Sequence, residues 1–271
     1  MTQIEIRQIF YDEMSLSLVQ APFIPLDNSD GDKSWFEFWG ILYFLLNHKE
    51  LEENVFYGFF SPKFTLKTGL SAQSAIAAVR DNSDKDVVLF SYAWDQLCFF
   101  INPWEQGETF HPGITKATQD FVDQVGLNIK ISEIITSRKN SVYSNFIVAK
   151  KSYWDKWIVL ATLLLRYAEN RNSNLFNQLT SYERFGAQPM KVFIQERLPA
   201  LILADKALSV AAIDVKTGMS SKLFVNSTEN KKRLLACDRI KDKIIEVGLS
   251  NYLIGEFNTA RKQVLFNEKK N

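Results

Sequence analysis

The densest run of chemically capable side chains in the chain is NPWEQGETFHPG, residues 102–113. Glu105 and Glu108 can carry protons, His111 is one of only two histidines, and Trp104 can offer an apolar face to a sugar ring. Pro103, Pro112, Gly107 and Gly113 punctuate the stretch, so it reads as a loop after the apolar run 87–101 and before a helical pattern. Loops held on rigid elements carry catalytic residues disproportionately. Glu105 is the first candidate for a general base because Pro103 and Trp104 restrain it; Glu108 and His111 are the other two. A plainer reading, a solvated surface loop, fits the same residues.

Other groups have chemistry within reach. Asp27, Asp30 and Asp32 lie in DNSDGDKS, whose Asp30-Gly31-Asp32 could hold a divalent cation that bridges phosphates. The same residues also make an ordinary turn and helix cap. Asp84-Lys85-Asp86 precedes its strand, the wrong end of an α/β sheet for a ligand. Asp95, beside Trp94, follows the strand expected at 87–92 and is better placed. Lys63 and Lys67 flank a turn after the strand expected at 54–61, where cations could meet a diphosphate. Gln195, Glu196 and Arg197 interrupt an apolar helix pattern, and a structural Glu–Arg ion pair is the simplest account of them.

Some classes fall away. The chain has no glycine-rich phosphate loop and no G-x-S-x-G elbow. Its two cysteines, Cys98 and Cys237, and its two histidines form no zinc-ligand spacing, and reduced thiols suit a cytoplasmic protein. A net charge of +1 with no basic block before the tail argues against nucleic acid as a partner. TQIEIRQIF alternates like a strand and is not a signal peptide, and the longest apolar helical run, near 35–46, contains Glu37 and is too short to span a bilayer. Peripheral association with a membrane stays compatible with it.

The elements that must position these residues follow from periodicity. The 271 residues, 46% of them hydrophobic, suffice for one large domain with a sizeable core. Strands are expected at 2–10, 54–61, 87–92 and 140–150, and an extended piece at 15–26. Helices are expected at 35–50, 72–81 behind Ser71 as N-cap, 114–126 and 153–170. A helix over 188–207 should break near Pro199, and helices at 229–247 and 250–264 follow an extended piece near 209–215 and a turn near 217–221. This predicts one α/β domain: a sheet flanked by helices over 1–207 and a mainly helical region over 208–271.

Six pieces, in this order, resemble bacterial capsule and O-antigen polysaccharide glycosyltransferases: PLDNSDGDKSWFEFWGILYFLLN, VFYGFFSPKFTLKTGLS, DVVLFSYAW, NPWEQGETFHPG, SNFIVAKKSYWDKWI and QPMKVFIQERLPALIL. The resemblance spans about residues 20–205 by pattern. It implies a GT-A-like, Rossmann-like mixed sheet that moves a sugar from a nucleotide-sugar donor to a glycan acceptor, in the cytoplasm or at the inner face of the membrane. Under it, Asp27, Asp30, Asp32, Lys63, Lys67, Asp95 and Arg197 fall to the donor. Trp94, Trp104, Gln188 and Glu196 fall to the acceptor or sugar. A magnesium or manganese ion would rest on Asp30, Asp32 or Asp95, but no D-x-D follows strand 87–92, so Lys63, Lys67 or Arg197 could neutralise the leaving diphosphate instead. Two alternatives remain: a catalytically silent glycan-binding or scaffold module, and a glycoside hydrolase built on Glu105.

Overall fold

The computed structural model describes residues 2–48, 50–182, 186–214, 223–225 and 227–266. In chain order its elements are β1 (Gln3–Phe10), α1 (Glu13–Leu16), β2 (Ile24–Asp27), α2 (Glu37–Asn47), β3 (Val55–Phe60), α3 (Phe64–Thr68) and α4 (Ala72–Asp81). Then come β4 (Val87–Leu89), α5 (Trp94–Phe99), α6 (Pro103–Phe110), α7 (Ile114–Gln124), β5 (Ile147–Ala149) and α8 (Lys151–Ala168). The chain continues through β6 (Leu179–Tyr182), β7 (Gly186–Pro189), α9 (Met190–Gln195), α10 (Leu198–Leu203), β8 (Val210–Ala212), α11 (Thr228–Val247) and α12 (Asn251–Phe266).

The main sheet is mixed, with strand order β2-β1-β3-β5-β4-β8. β1 pairs in parallel with β2 and β3, and β4 with β8, while β5 runs against both β3 and β4. One reversed strand therefore lies among five that share a direction, and the carboxyl ends of those five line one edge. β3 is buried at all six positions, as a continuous apolar run in a sheet centre must be. Around it Phe60 stacks on Phe64 at 4.1 Å, and Phe23, Phe90 and Phe146 pack edge-on. A second apolar cluster, with Trp94, Cys98, Phe99, Leu234, Cys237 and Phe257, joins α5 to the C-terminal helices α11 and α12.

Several expectations are corrected. The stretch 102–113 is mostly the helix α6: Asn102 accepts from the backbone N–H of Trp104 (2.9 Å) and Glu105 (2.8 Å), and Pro103 occupies the first turn. The piece 15–26 opens with the end of a short helix and only reaches the sheet at Ile24. The loop 62–71 contains α3, ended by Gly69 at φ +70°. The strands expected at 87–92 and 140–150 shrink to three residues each because the backbone turns to positive φ at Ala93, Ser144 and Asn145. The polar region 171–187 contributes to the hairpin β6–β7. The helix over 188–207 divides into α9 and α10 at Glu196–Arg197, close to the expected break. The turn near 217–221 lies outside the described residues. Among the described residues no helix is long and apolar enough to cross a membrane.

Candidate functional site

The residues of 102–113 are engaged in holding the fold. Arg197, 4% exposed, donates from Nε to the Pro103 carbonyl (2.9 Å), from Nη1 to the Phe193 carbonyl (2.6 Å) and from Nη2 to Gln106 Oε1 (2.7 Å). Gly107 leaves room for that guanidinium: a Cβ there would sit 2.6 Å from Nη2. Glu105 accepts from the Ile101 N–H (2.7 Å) and pairs with Arg261 of α12 (2.6 Å). Glu108 accepts from the N–H groups of Gly113 (2.6 Å) and Thr115 (3.1 Å) at the start of α7. Partial burial would raise its pKa, but those N–H groups outweigh it and hold the carboxyl below its usual range. Trp104 is buried and donates to Thr118 (3.1 Å). His111 is buried and stacks on Phe193 with centroids 3.5 Å apart. Burial first, and the Arg197 charge second, lower its pKa to about 4. Gln188 stands in the β6–β7 hairpin opposite Thr180.

The acidic loop behaves as a turn and cap. Asp27 accepts from the Ser29 N–H (2.8 Å), and Asp32 accepts from the Ser34 N–H (2.8 Å) at the head of a single helical turn, Lys33–Trp35. Asp30 and Lys63 are exposed. Asp95 is fully buried within α5 and faces the Phe224 N–H at 3.4 Å. Among the described residues no group of three or more acidic, histidine or cysteine side chains converges as metal ligands.

The structure gathers a different set at the carboxyl edge of the sheet. Strand order reverses there between β1, whose next strand lies on one side, and β3, which leads to the other; ligands of α/β sheets bind in such crevices. Tyr11 follows β1, Glu37 opens α2, Lys67 lies in α3 after β3, Tyr92 follows β4, Ser144 precedes β5, and Glu196 stands at the α9–α10 break. Lys67 Nζ donates to Ser144 Oγ (2.7 Å) and sits 4.9 Å from the Tyr92 ring centroid. Burial alone would push the Lys67 ammonium down, but Tyr92, Glu196 and Glu37 outweigh it and hold the pKa above the ordinary lysine value. Burial pushes the Glu196 carboxyl up and Glu37 adds to this, while Lys67 and Arg197 draw it back. Tyr11 is raised by burial and then by the Glu37 carboxylate, which acts on its phenol.

Glu196 has two properties that seldom occur together. Its surroundings desolvate it strongly, yet part of its surface still touches solvent. Burial and the charges of Lys67, Arg197 and Glu37 act on its ionisation, and it makes no side-chain hydrogen bond among the described residues. Its neighbour Gln195 is buried and accepts from Asn145 Nδ2 (2.9 Å). Asn28 donates to the Phe36 carbonyl (3.0 Å) and packs against Gly31 and Gly40, which pins the turn that carries Glu37. Positive φ at Phe36, Ala93, Ser144 and Asn145 occurs in the segments that border this cluster, and such strain persists only where surrounding packing enforces it.

Of the residues expected from sequence, Lys67 and Glu196 come together here, and Trp94 lines a neighbouring cleft beyond β4. Tyr11, Glu37, Tyr92 and Ser144 were missed. Glu37 had a signal, being the only charge in an otherwise apolar helical run. Compared with protein-family models, curated proteins and solved structures, the chain matches none.

Two outcomes follow from this geometry. Arg197→Ala strands three acceptors in the interior and should cost about 3 kcal/mol or more, read as a lower urea midpoint. An unchanged midpoint would contradict the assignment of Arg197 to the fold. His111 is held neutral, whereas the unfolded chain protonates it below about pH 6.5. The unfolded state thus binds more protons between that value and the folded pKa of about 4. His111's contribution is complete above that window and is lost as pH falls through it, about 2 kcal/mol near pH 5. His111→Phe should lose less stability than wild type between neutral pH and about pH 5 in urea titrations; an equal loss would refute this.

Proposed function

We propose that this chain is a glycosyltransferase with a GT-A-like domain. It moves a sugar from a nucleotide-sugar donor to a glycan acceptor in bacterial surface polysaccharide synthesis, on the cytoplasmic side. One observation carries the reading: Lys67, held at the carboxyl edge of the sheet by Ser144 (2.7 Å) and the Tyr92 ring (4.9 Å), lies near enough to the desolvated Glu196 carboxyl for each charge to act on the other. The order of sequence pieces that resembles such enzymes supports it further, as does the reversal of strand order between β1 and β3.

In this mechanism the acceptor hydroxyl oxygen forms a bond to the anomeric carbon as the bond to the donor diphosphate breaks. Glu196 takes the hydroxyl proton, and burial, which raises its pKa, makes the carboxylate a stronger base than an exposed one. Lys67, charged and already oriented by Ser144 and Tyr92, meets the negative charge that develops on the leaving diphosphate. Tyr92, Glu196 and Glu37 together keep Lys67 protonated, and Glu37 adds to the upward shift of Glu196. Attack opposite the leaving group inverts the anomeric configuration.

Glu196→Gln should lower turnover by about 10²- to 10⁴-fold with donor affinity retained. Lys67→Met should weaken both donor binding and turnover, by about 10²-fold or more in turnover. Release of nucleoside diphosphate and thermal shifts with a panel of nucleotide sugars measure these effects. Wild-type turnover in Glu196→Gln would remove it as base. A chain that no nucleotide sugar stabilises, but that still binds glycan, would instead be a silent glycan-binding module. Free sugar released from a glycan without any donor would make it a hydrolase.

A further inference from the structure

A concavity of about 270 Å³ opens at the carboxyl ends of the parallel pair β4 and β8, against the first turns of α11. None of the residues given a catalytic task above lines it. Trp94, Leu97, Ile213 and Leu235 form an apolar wall, and Arg138, Lys231 and Asp214 bring charge. Trp94 is 6% exposed, and its buried indole N–H meets no acceptor among the described residues. An unpaired buried donor is costly, and a ligand oxygen that reached it would relieve that cost.

The charges are arranged for an incoming anion. Arg138 is fixed from below: its backbone N–H and Nε both donate to Asp238, which is almost fully buried (3.1 and 3.0 Å). Its outer nitrogen Nη1 meets Asp214 at 3.0 Å, and the Asp214 side chain is 89% exposed. Nη2 and the Lys231 ammonium bond no described residue. A guanidinium with one face anchored and the other met only by a solvated aspartate can exchange that aspartate for a ligand carboxylate or phosphate. An apolar wall beside two cations suits an acidic sugar better than a bare ion.

Taking the transferase reading as its basis, we propose that this cleft binds the acceptor through an acidic saccharide unit, whose carboxylate or phosphate lies between Arg138 and Lys231. Asp214 then acts as a stand-in anion that the acceptor displaces.

The test is binding to the full-length chain without donor, by calorimetric titration with glucuronic acid, glucose 6-phosphate, glucose and inorganic phosphate. One or both acidic sugars should bind, more weakly as salt rises, and the tighter of them identifies the charged group. Glucose should not bind, and inorganic phosphate should bind less tightly than the preferred acidic sugar. Lys231→Ala, which removes no bond within the described fold, should weaken acidic-sugar binding about three- to tenfold. Asp214→Asn should strengthen it about two- to fivefold, the size of an exposed ion pair. Binding of glucose as tight as that of the acidic sugars, no binding of either acidic sugar, or affinities indifferent to both substitutions would overturn the proposal. Nucleotide-sugar binding, followed in parallel and tested with Lys67→Met, reports on the transferase reading separately. If donor binds and acidic sugars do not, only this cleft's assignment falls.

Discussion

Two adjacent residues of opposite charge, Glu196 and Arg197, stand at the break between α9 and α10, and the rest of the arrangement depends on them. Burial disfavours the charged form of both. They meet it differently. Arg197 spends its guanidinium on two backbone carbonyls and one amide oxygen, drawn from α6 and α9. A lysine could not reach three acceptors in that fork geometry. Glu196 has no such set, and its ionised form depends on the charges of Lys67 and Arg197. One residue thus closes the fold, and the next leaves a desolvated carboxylate near Lys67. The two side chains do not meet as the structural ion pair expected from the sequence, because the guanidinium is taken up by Pro103, Phe193 and Gln106.

That position is completed by the sheet edge. β3 delivers Lys67, β4 delivers Tyr92, and the turn into β5 delivers Ser144, while Asn28 fixes the approach to Glu37. Two carboxylates share one lysine, which raises the lysine and leaves Glu196 raised as well. The backbone accepts positive φ at Phe36, Ala93, Ser144 and Asn145 in the segments that carry or flank these groups. The close-packed aromatics beneath, with Phe60 between Phe64, Phe90 and Phe146, provide the rigidity that keeps those turns strained.

Much of the fold was legible from local signals. The alternation of β1, the unbroken apolar run of β3, the Ser71 cap of α4, the Gly126 stop after α7 and the long helices α8, α11 and α12 all appear where periodicity predicts them. Strand ends were not legible, because the turns at Ala93 and Ser144–Asn145 use residues with no intrinsic preference strong enough to mark them. The stretch 102–113 reads as a loop but is mostly a helix, for an instructive reason. Its carboxylates are dense because helix ends need them: Glu105 and Glu108 each hold backbone N–H groups. Asn102 followed by Pro103 was a cap signal, overshadowed by the glycines and the His-Pro-Gly ending. The candidate site was only half visible, since Tyr11, Glu37, Lys67, Ser144 and Glu196 come from distant parts of the chain and meet only through strand order.

The most direct test of the central claim is where a nucleoside diphosphate settles in a crystal structure of the chain soaked with one. The account predicts its phosphates within hydrogen-bond reach of Lys67 Nζ, with Glu196 across the space left for the sugar. Phosphates bound away from the carboxyl edge of β1 and β3, with Lys67 still held only by Ser144 and Tyr92, would contradict it.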